Sequence, residues 1–187
     1  LKARTESYPA IHGVAAYEPP KAGITRSWQL RIPQQTRYVI RDTPAGYTGI
    51  DLWDRVHESD VILIPVLPSV IDMHSTANFV RDLLLIGKAR AQGKQIAIIA
   101  NRTRIRTRSM VKLERFLRNL DIPVIAQIRD TQHYVHAAEQ GIGVCELAES
   151  AAHRDSTPWA NILDWMQQHD RQNDTVVTAV SRVMPFA

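Results

Sequence analysis

The run Tyr38-Val39-Ile40-Arg41-Asp42-Thr43-Pro44-Ala45-Gly46 puts an aspartate at the end of a short β-prone stretch, with a proline–glycine turn directly after it. A carboxylate in that position can hold a magnesium-bound water. Pro44 forces Thr43 into an extended conformation, and Gly46, lacking a Cβ, lets its N–H approach a phosphate oxygen. The same residues also serve as a plain polar turn at a strand end, so the segment by itself leaves both readings open. Asn101 follows the apolar run Ile96–Ala100, and its amide offers an acceptor and donors together, as reading a base edge requires or as a turn or cap requires. Arg102, Arg104, Arg106, Arg108, Lys112, Arg115 and Arg118 form the densest basic cluster, interrupted only by Glu114. Such a cluster is either a solvated face or a surface for a phosphate backbone. No aromatic residue interleaves with the arginines up to Arg115, which argues against base stacking on a single strand.

Other constellations carry less. His133 and His136 stand three apart, but no cysteine or carboxylate completes a zinc set at the usual spacing. Ser69, Asp72 and His74 are near in sequence, yet the Gly-x-Ser-x-Gly elbow of a hydrolase nucleophile is missing.

These residues need elements to position them. Tyr38–Arg41, 60–66, Gln95–Ala100 and Ile122–Ile128 read as strands, and the second and third are continuous apolar runs suited to a sheet buried on both faces. Helices are expected over Ile50–His57, over Ser75–Gln92 with Gly93 as the stop, over Thr107–Leu120, and over Thr131–Gln140 closed by Gly141. Residues 151–157 read as a polar linker, after which Thr157 caps a C-terminal helix over 157–170 with Pro158 in its first turn. Residues 1–37 are punctuated by proline and glycine and read as irregular, and the tail 171–187 has strand-like composition without an obvious place. The alternation predicts one α/β domain with a strand–helix core over 38–150: a mainly parallel sheet with helices on both faces, and ligand-facing residues just after each strand.

The chain has 187 residues, enough for one domain with a real core, and its net charge of +4 permits an anionic partner without requiring one. A single cysteine, Cys145, excludes an internal disulfide framework and fits a reducing cytoplasm. No apolar run reaches membrane-spanning length, so no membrane partner is expected.

The order of these pieces resembles the ParA/MinD family of P-loop ATPases, which partition plasmids and chromosomes or position cellular machinery. The matching segments are 38–46, then 59–69 with Asp72, 96–102, 123–130 with Tyr134, Ala137 and Gly141, and 144–149. The resemblance implies a P-loop NTPase-like three-layer sandwich that binds ATP and Mg²⁺. It makes Asp42 the catalytic aspartate acting on Mg²⁺ through water, and Thr43, Pro44 and Gly46 the γ-phosphate-sensing segment. Asn101 contacts adenine with Arg102 beside it, and Arg129 and Asp130 lie near the base. Family members bind DNA non-specifically as ATP-gated homodimers and work with a partitioning adaptor. Arg104, Arg106, Arg108, Lys112, Arg115 and Arg118 are the DNA-facing candidates here, by charge alone.

Two departures qualify the expectation. The family's Lys-Gly-Gly-x-Gly-Lys-Thr loop is absent, along with the strand and helix around it, although that strand sits centrally in the family's sheet. Electrostatic positioning is nearly all that phosphoryl transfer asks of a protein, so this chain alone is expected to hydrolyse no ATP. Either the loop is encoded upstream of Leu1, or the sheet is completed by something else. Arg41 also stands where the family has an apolar residue; it either pairs with Asp42 or points away. The alternative function is a non-hydrolysing dimerisation or DNA-binding module of the same fold. A third reading, an ATP-dependent ligase, finds no substrate carboxylate site in the sequence.

Overall fold

The computed structural model describes residues 35–43, 49–147, 153–169 and 175–179, with the side chains of 49, 50 and 175–179 left aside. In chain order the elements are β1 (Tyr38–Asp42), α1 (Gly49–His57), β2 (Val61–Val66), α2 (Val70–Leu85), β3 (Gln95–Thr103), α3 (Arg108–Arg118), β4 (Val124–Arg129) and α4 (His133–Glu139). A 3-10 turn (Val144–Glu146), α5 (His153–Gln168) and β5 (Thr175–Ala179) follow. The five strands form one parallel sheet in the order β1-β5-β2-β3-β4.

Side chains alternate across a strand, so each apolar run feeds two cores. Ile62, Ile64, Val66, Ile96 and Ile98 meet α1, α2 and α3 through Leu52, Val56, Val80, Leu83 and Leu113. Val61, Leu63, Ala97, Ile99, Ala126 and Ile128 meet Ile162 and Met166 of α5 on the opposite face. The α/β class and the helices on both faces are therefore as the sequence predicts. The first three crossovers step across the sheet in one direction and share one face, as right-handed connections require. α5 covers the other.

Several element boundaries differ from expectation. β3 runs on to Thr103, so Asn101 and Arg102 lie within the strand rather than just after it. α2 runs over 70–85 rather than 75–92, because it starts directly at the end of the β2 turn and stops where Lys88 takes a left-handed conformation at φ 47°. α5 begins at His153, so the expected linker is already helical, and Pro158 lies inside the helix rather than at its first position. Proline there leaves one backbone carbonyl without its helical donor. The anchoring of Asp155, described below, holds that first turn in place. Finally, the tail contributes β5, which takes an inner position between β1 and β2.

Gly87 marks where α2 closes on α1. A Cβ added there would meet the Leu83 carbonyl oxygen at 2.7 Å and Val56 Cγ2 at 3.0 Å. Gly87→Ala is therefore expected to destabilise the chain by about 1–3 kcal/mol, since the backbone oxygen cannot yield as a side chain would. A urea midpoint unchanged from the parent would contradict this.

Candidate functional site

In a parallel sheet the strand ends at the carboxyl side are where the chain turns and where side chains converge on a ligand. β1 ends there with Asp42, which is exposed, and Thr43, which is only 5% exposed. The Thr43 hydroxyl has no hydrogen-bond partner among the described residues. A buried, unpartnered hydroxyl is costly and rare in native structures, so the position calls for an explanation. Pro44 and Gly46 lie outside the described residues. Arg41 forms an ion pair with Glu58 at the end of α1, which answers the question its position raised: alternation along β1 turns it away from Asp42.

At the end of β2 the backbone N–H of Leu67 donates to Asp72 Oδ2 at 2.6 Å, and that of Ser69 donates to the Leu67 carbonyl at 2.8 Å. Ser69 holds the N-cap position of α2 without a side-chain cap bond. Asp72, in the first turn of α2, is the residue that ties the turn down, where a carboxylate is also favoured by the helix dipole.

The end of β3 is reshaped. Ala100 pairs with Gln127 and Thr103 with Arg129, so β3 carries one residue more than β4 across this stretch. Such a bulge re-aims side chains at a strand end. Arg102 sits in it with φ 50°, and Asn101 Oδ1 accepts the Arg102 N–H at 2.9 Å, which steadies the left-handed turn through the asparagine oxygen. Thr103 closes the irregularity by donating its hydroxyl to the Ile128 carbonyl at 3.1 Å.

Asp130, just past β4, accepts from Arg104 Nε at 2.9 Å and Nη2 at 2.7 Å, with Arg102 Nε at 3.5 Å. The hydrogen bond from Arg104 is the main reason its carboxyl lies below the ordinary carboxylate value. Because the folded-state value is the lower one, the stability from this contact is present above the ordinary carboxylate range and is lost as pH falls through the lowered pKa. The basic cluster thus divides. Arg102 and Arg104 are held on Asp130, whereas Arg106, Arg108, Lys112, Arg115 and Arg118 are exposed and make no ion pair among the described residues. The last four lie along the outer face of α3, whose inner face buries Met110, Leu113 and Leu117 and whose start is capped by the Thr107 hydroxyl accepting from Met110 N–H at 3.2 Å.

Arg129 turns the other way. Its Nε and Nη2 reach Asp155 Oδ1 at 3.0 and 2.8 Å, and His133 Nδ1 lies 2.6 Å from Oδ2. Asp155 is 1% exposed. Trp159 Nε1 donates to the Tyr134 hydroxyl at 3.1 Å, and burial pushes that phenol's pKa up. This cluster joins the end of β4, α4 and the first turn of α5. Sequence reasoning missed Asp155, which it assigned to a linker, and considered His133 only as a zinc ligand. The available signal was an acid three residues ahead of Pro158, a spacing that suits the first turn of a helix.

Asp42 and Asn101 share one edge of the sheet but stand three strand spacings apart, with β5 and β2 between them. At about 4.8 Å per spacing that is about 14 Å across the sheet, and the register sets Asp42 level with Ala97, about 13 Å short of Asn101 along the strand, so the two stand about 19 Å apart; a compact anion cannot meet both, and only an extended ligand can. Among the described residues no group of three or more His, Cys, Asp or Glu side chains forms a metal cage, and no helix is long and apolar enough to cross a membrane. Comparison with models of known protein families gives no match, and neither does comparison with curated proteins.

Proposed function

We infer that this chain is a ParA/MinD-like domain of the three-layer P-loop NTPase type, acting in plasmid or chromosome partitioning or positioning in the cytoplasm. It would do so by nucleotide-gated pairing with a second copy, non-specific DNA binding and contact with an adaptor protein. The observation that carries the reading is the buried Thr43 hydroxyl, without a hydrogen-bond partner among the described residues, beside Asp42 at one end of a polar rim about 19 Å long. ATP has a compact anion at one end and a hydrogen-bonding base at the other, and the donor set suits it. Asp42 would hold a water of Mg²⁺, while Thr43, Pro44 and Gly46 would meet the γ-phosphate. Asn101 and Arg102 would meet adenine, with Arg129 and Asp130 alongside. Mg²⁺, when bound, neutralises phosphate charge, and one carboxylate plus phosphate oxygens is an ordinary way to hold it.

Two further features support the reading. Val70, Ile71 and Ile105 are exposed aliphatic side chains just after β2 and β3 at the same edge, where a second copy would bury them. Five exposed cations of the α3 region, without an ion pair among the described residues, suit a phosphate backbone.

One observation favours the second reading, a non-hydrolysing DNA-binding or dimerisation module. β5 fills an inner place in the sheet, the kind of position that the resemblance gives to the phosphate-loop strand.

Mg-ATP turnover and DNA binding separate the readings. Duplex DNA affinity is expected to fall steeply with salt, and Lys112→Glu with Arg115→Glu to weaken it tenfold or more at low salt, reducing the salt slope by about 2. No ATP turnover above background is expected from these 187 residues. DNA affinity raised by Mg-ATP supports nucleotide gating; unchanged affinity supports the module; salt-insensitive binding or none overturns both.

A further inference from the structure

The strand order contains a gap that the neighbouring unit does not fill itself. β1 and β2 are consecutive strands joined by α1, yet they do not pair. They flank a space one strand wide, about 10 Å between strand axes, and β5 occupies it. Tyr38 to Asp42 pair with Thr175 to Ala179 in parallel register, five positions in all. On its other side β5 meets β2 over only three, Val61↔Val177 to Leu63↔Ala179. Among the described residues β5 is the one strand with which β1 pairs, and so its ladder connection to the rest of the sheet.

The remaining ties of β1 are thin. None of its residues belongs to the buried set of either core; Tyr38 packs at the margin of one, and Ile40 is 71% exposed. The Arg41–Glu58 pair is partly exposed and of the kind that contributes little. α1, in contrast, is fixed by Leu52 and Val56 in the larger core, and β2 and β3 are buried on both faces. Local opening follows such boundaries: elements with few buried apolar contacts release while a packed core persists.

We propose that β5 is a docking strand whose seating between β1 and β2 assembles the Asp42–Thr43 end of the site, and whose release frees β1 while the β2-β3-β4 core and its helices stay folded. The device rests on the nucleotide reading for its purpose, because through β5 Asp42 is fixed level with Leu63 and Ala97, which sets where Asp42 and Thr43 stand relative to the β2 and β3 ends. Seated, the strand ladder holds the two halves of the rim in register. Released, Asn101 and Arg129 remain in place, and the carboxylate and hydroxyl do not.

Hydrogen exchange on the full chain tests this without any nucleotide. Amides of 38–42 are expected to exchange at least tenfold faster than those of 96–100. In Val177→Pro, which removes an interior ladder donor, exchange at 38–42 should rise a further tenfold or more while 62–64 and 96–100 keep their protection. In a second variant, Val39→Cys with Val176→Cys on a Cys145→Ser background, oxidation should lock the registered pair and slow exchange at 38–42 tenfold, leaving β3 unchanged. Loss of protection throughout the sheet in Val177→Pro would overturn the proposal, as would a lock that leaves β1 exchange unaltered. Mg-ATP titration of the locked and unlocked forms is a separate arm. Absence of binding in both, with the exchange pattern as expected, rejects the nucleotide reading and leaves the docking strand standing.

Discussion

Asp155→Ala is expected to lower the unfolding free energy by about 2–4 kcal/mol, the largest loss from any single polar side chain described here. The carboxylate is buried and accepts from Arg129 and His133 at 2.6–3.0 Å. Removing it takes from a guanidinium and an imidazole the buried carboxylate that both reach. Arg129 is 41% exposed and can rehydrate in part, which sets the figure below that for a fully buried pair. The effect should appear as a lower urea midpoint with an unchanged slope, because the same surface is exposed on unfolding. Asp155→Asn, which keeps the shape and one acceptor, should cost less than the alanine variant. A midpoint shift equivalent to less than about 0.5 kcal/mol for the alanine variant, the range of ordinary surface changes, would mean that the cluster contributes no stability.

The second large effect is expected at Leu113. It is fully buried beneath α3, in the cluster with Val66 and Ile98. Leu113→Ala removes apolar volume that the parallel strands cannot refill, at a cost of about 2–5 kcal/mol. Val111, two residues away, faces solvent on the same helix, and Val111→Ala should lie within about 0.5 kcal/mol of the parent. The contrast bears on function, since the inner face of α3 determines how rigidly Arg108, Lys112, Arg115 and Arg118 are presented. If the two substitutions cost the same, the amphipathic reading of α3 fails.

Legibility in the sequence followed the range of the forces involved. β2 and β3 were readable because continuous apolar runs are a local signature of strands covered on both sides, and α3 because its apolar and basic residues alternate with helical period. The C-terminal start of α5 was not, because Pro158 is a strong local signal for a first turn and the tie that extends the helix to His153 comes from Arg129 and His133, more than twenty residues away. The position of β5 was hidden for the same reason: composition can propose a strand but cannot say between which neighbours it inserts. Within the candidate site, Asp42 and Asn101 were legible as strand-end polar residues. The division of the arginine cluster was not. Only the bulge at Asn101–Arg102 brings Arg102 and Arg104 onto Asp130 and leaves the other five cations outward.

The inner seat of β5 also bears on how the chain is made. A ribosome releases β1 long before the strand that pairs with it, for Asp42 and Thr175 are 133 positions apart. At about 5–20 residues per second, β1 waits on the order of ten seconds for its partner. By the end of that interval β2, β3 and β4 have all been made, together with the helices that cover them. Until β5 is made, β1, carrying Asp42, lacks the strand with which it pairs among the described residues, so the Asp42 end of the site is among the last parts of the sheet that can be completed.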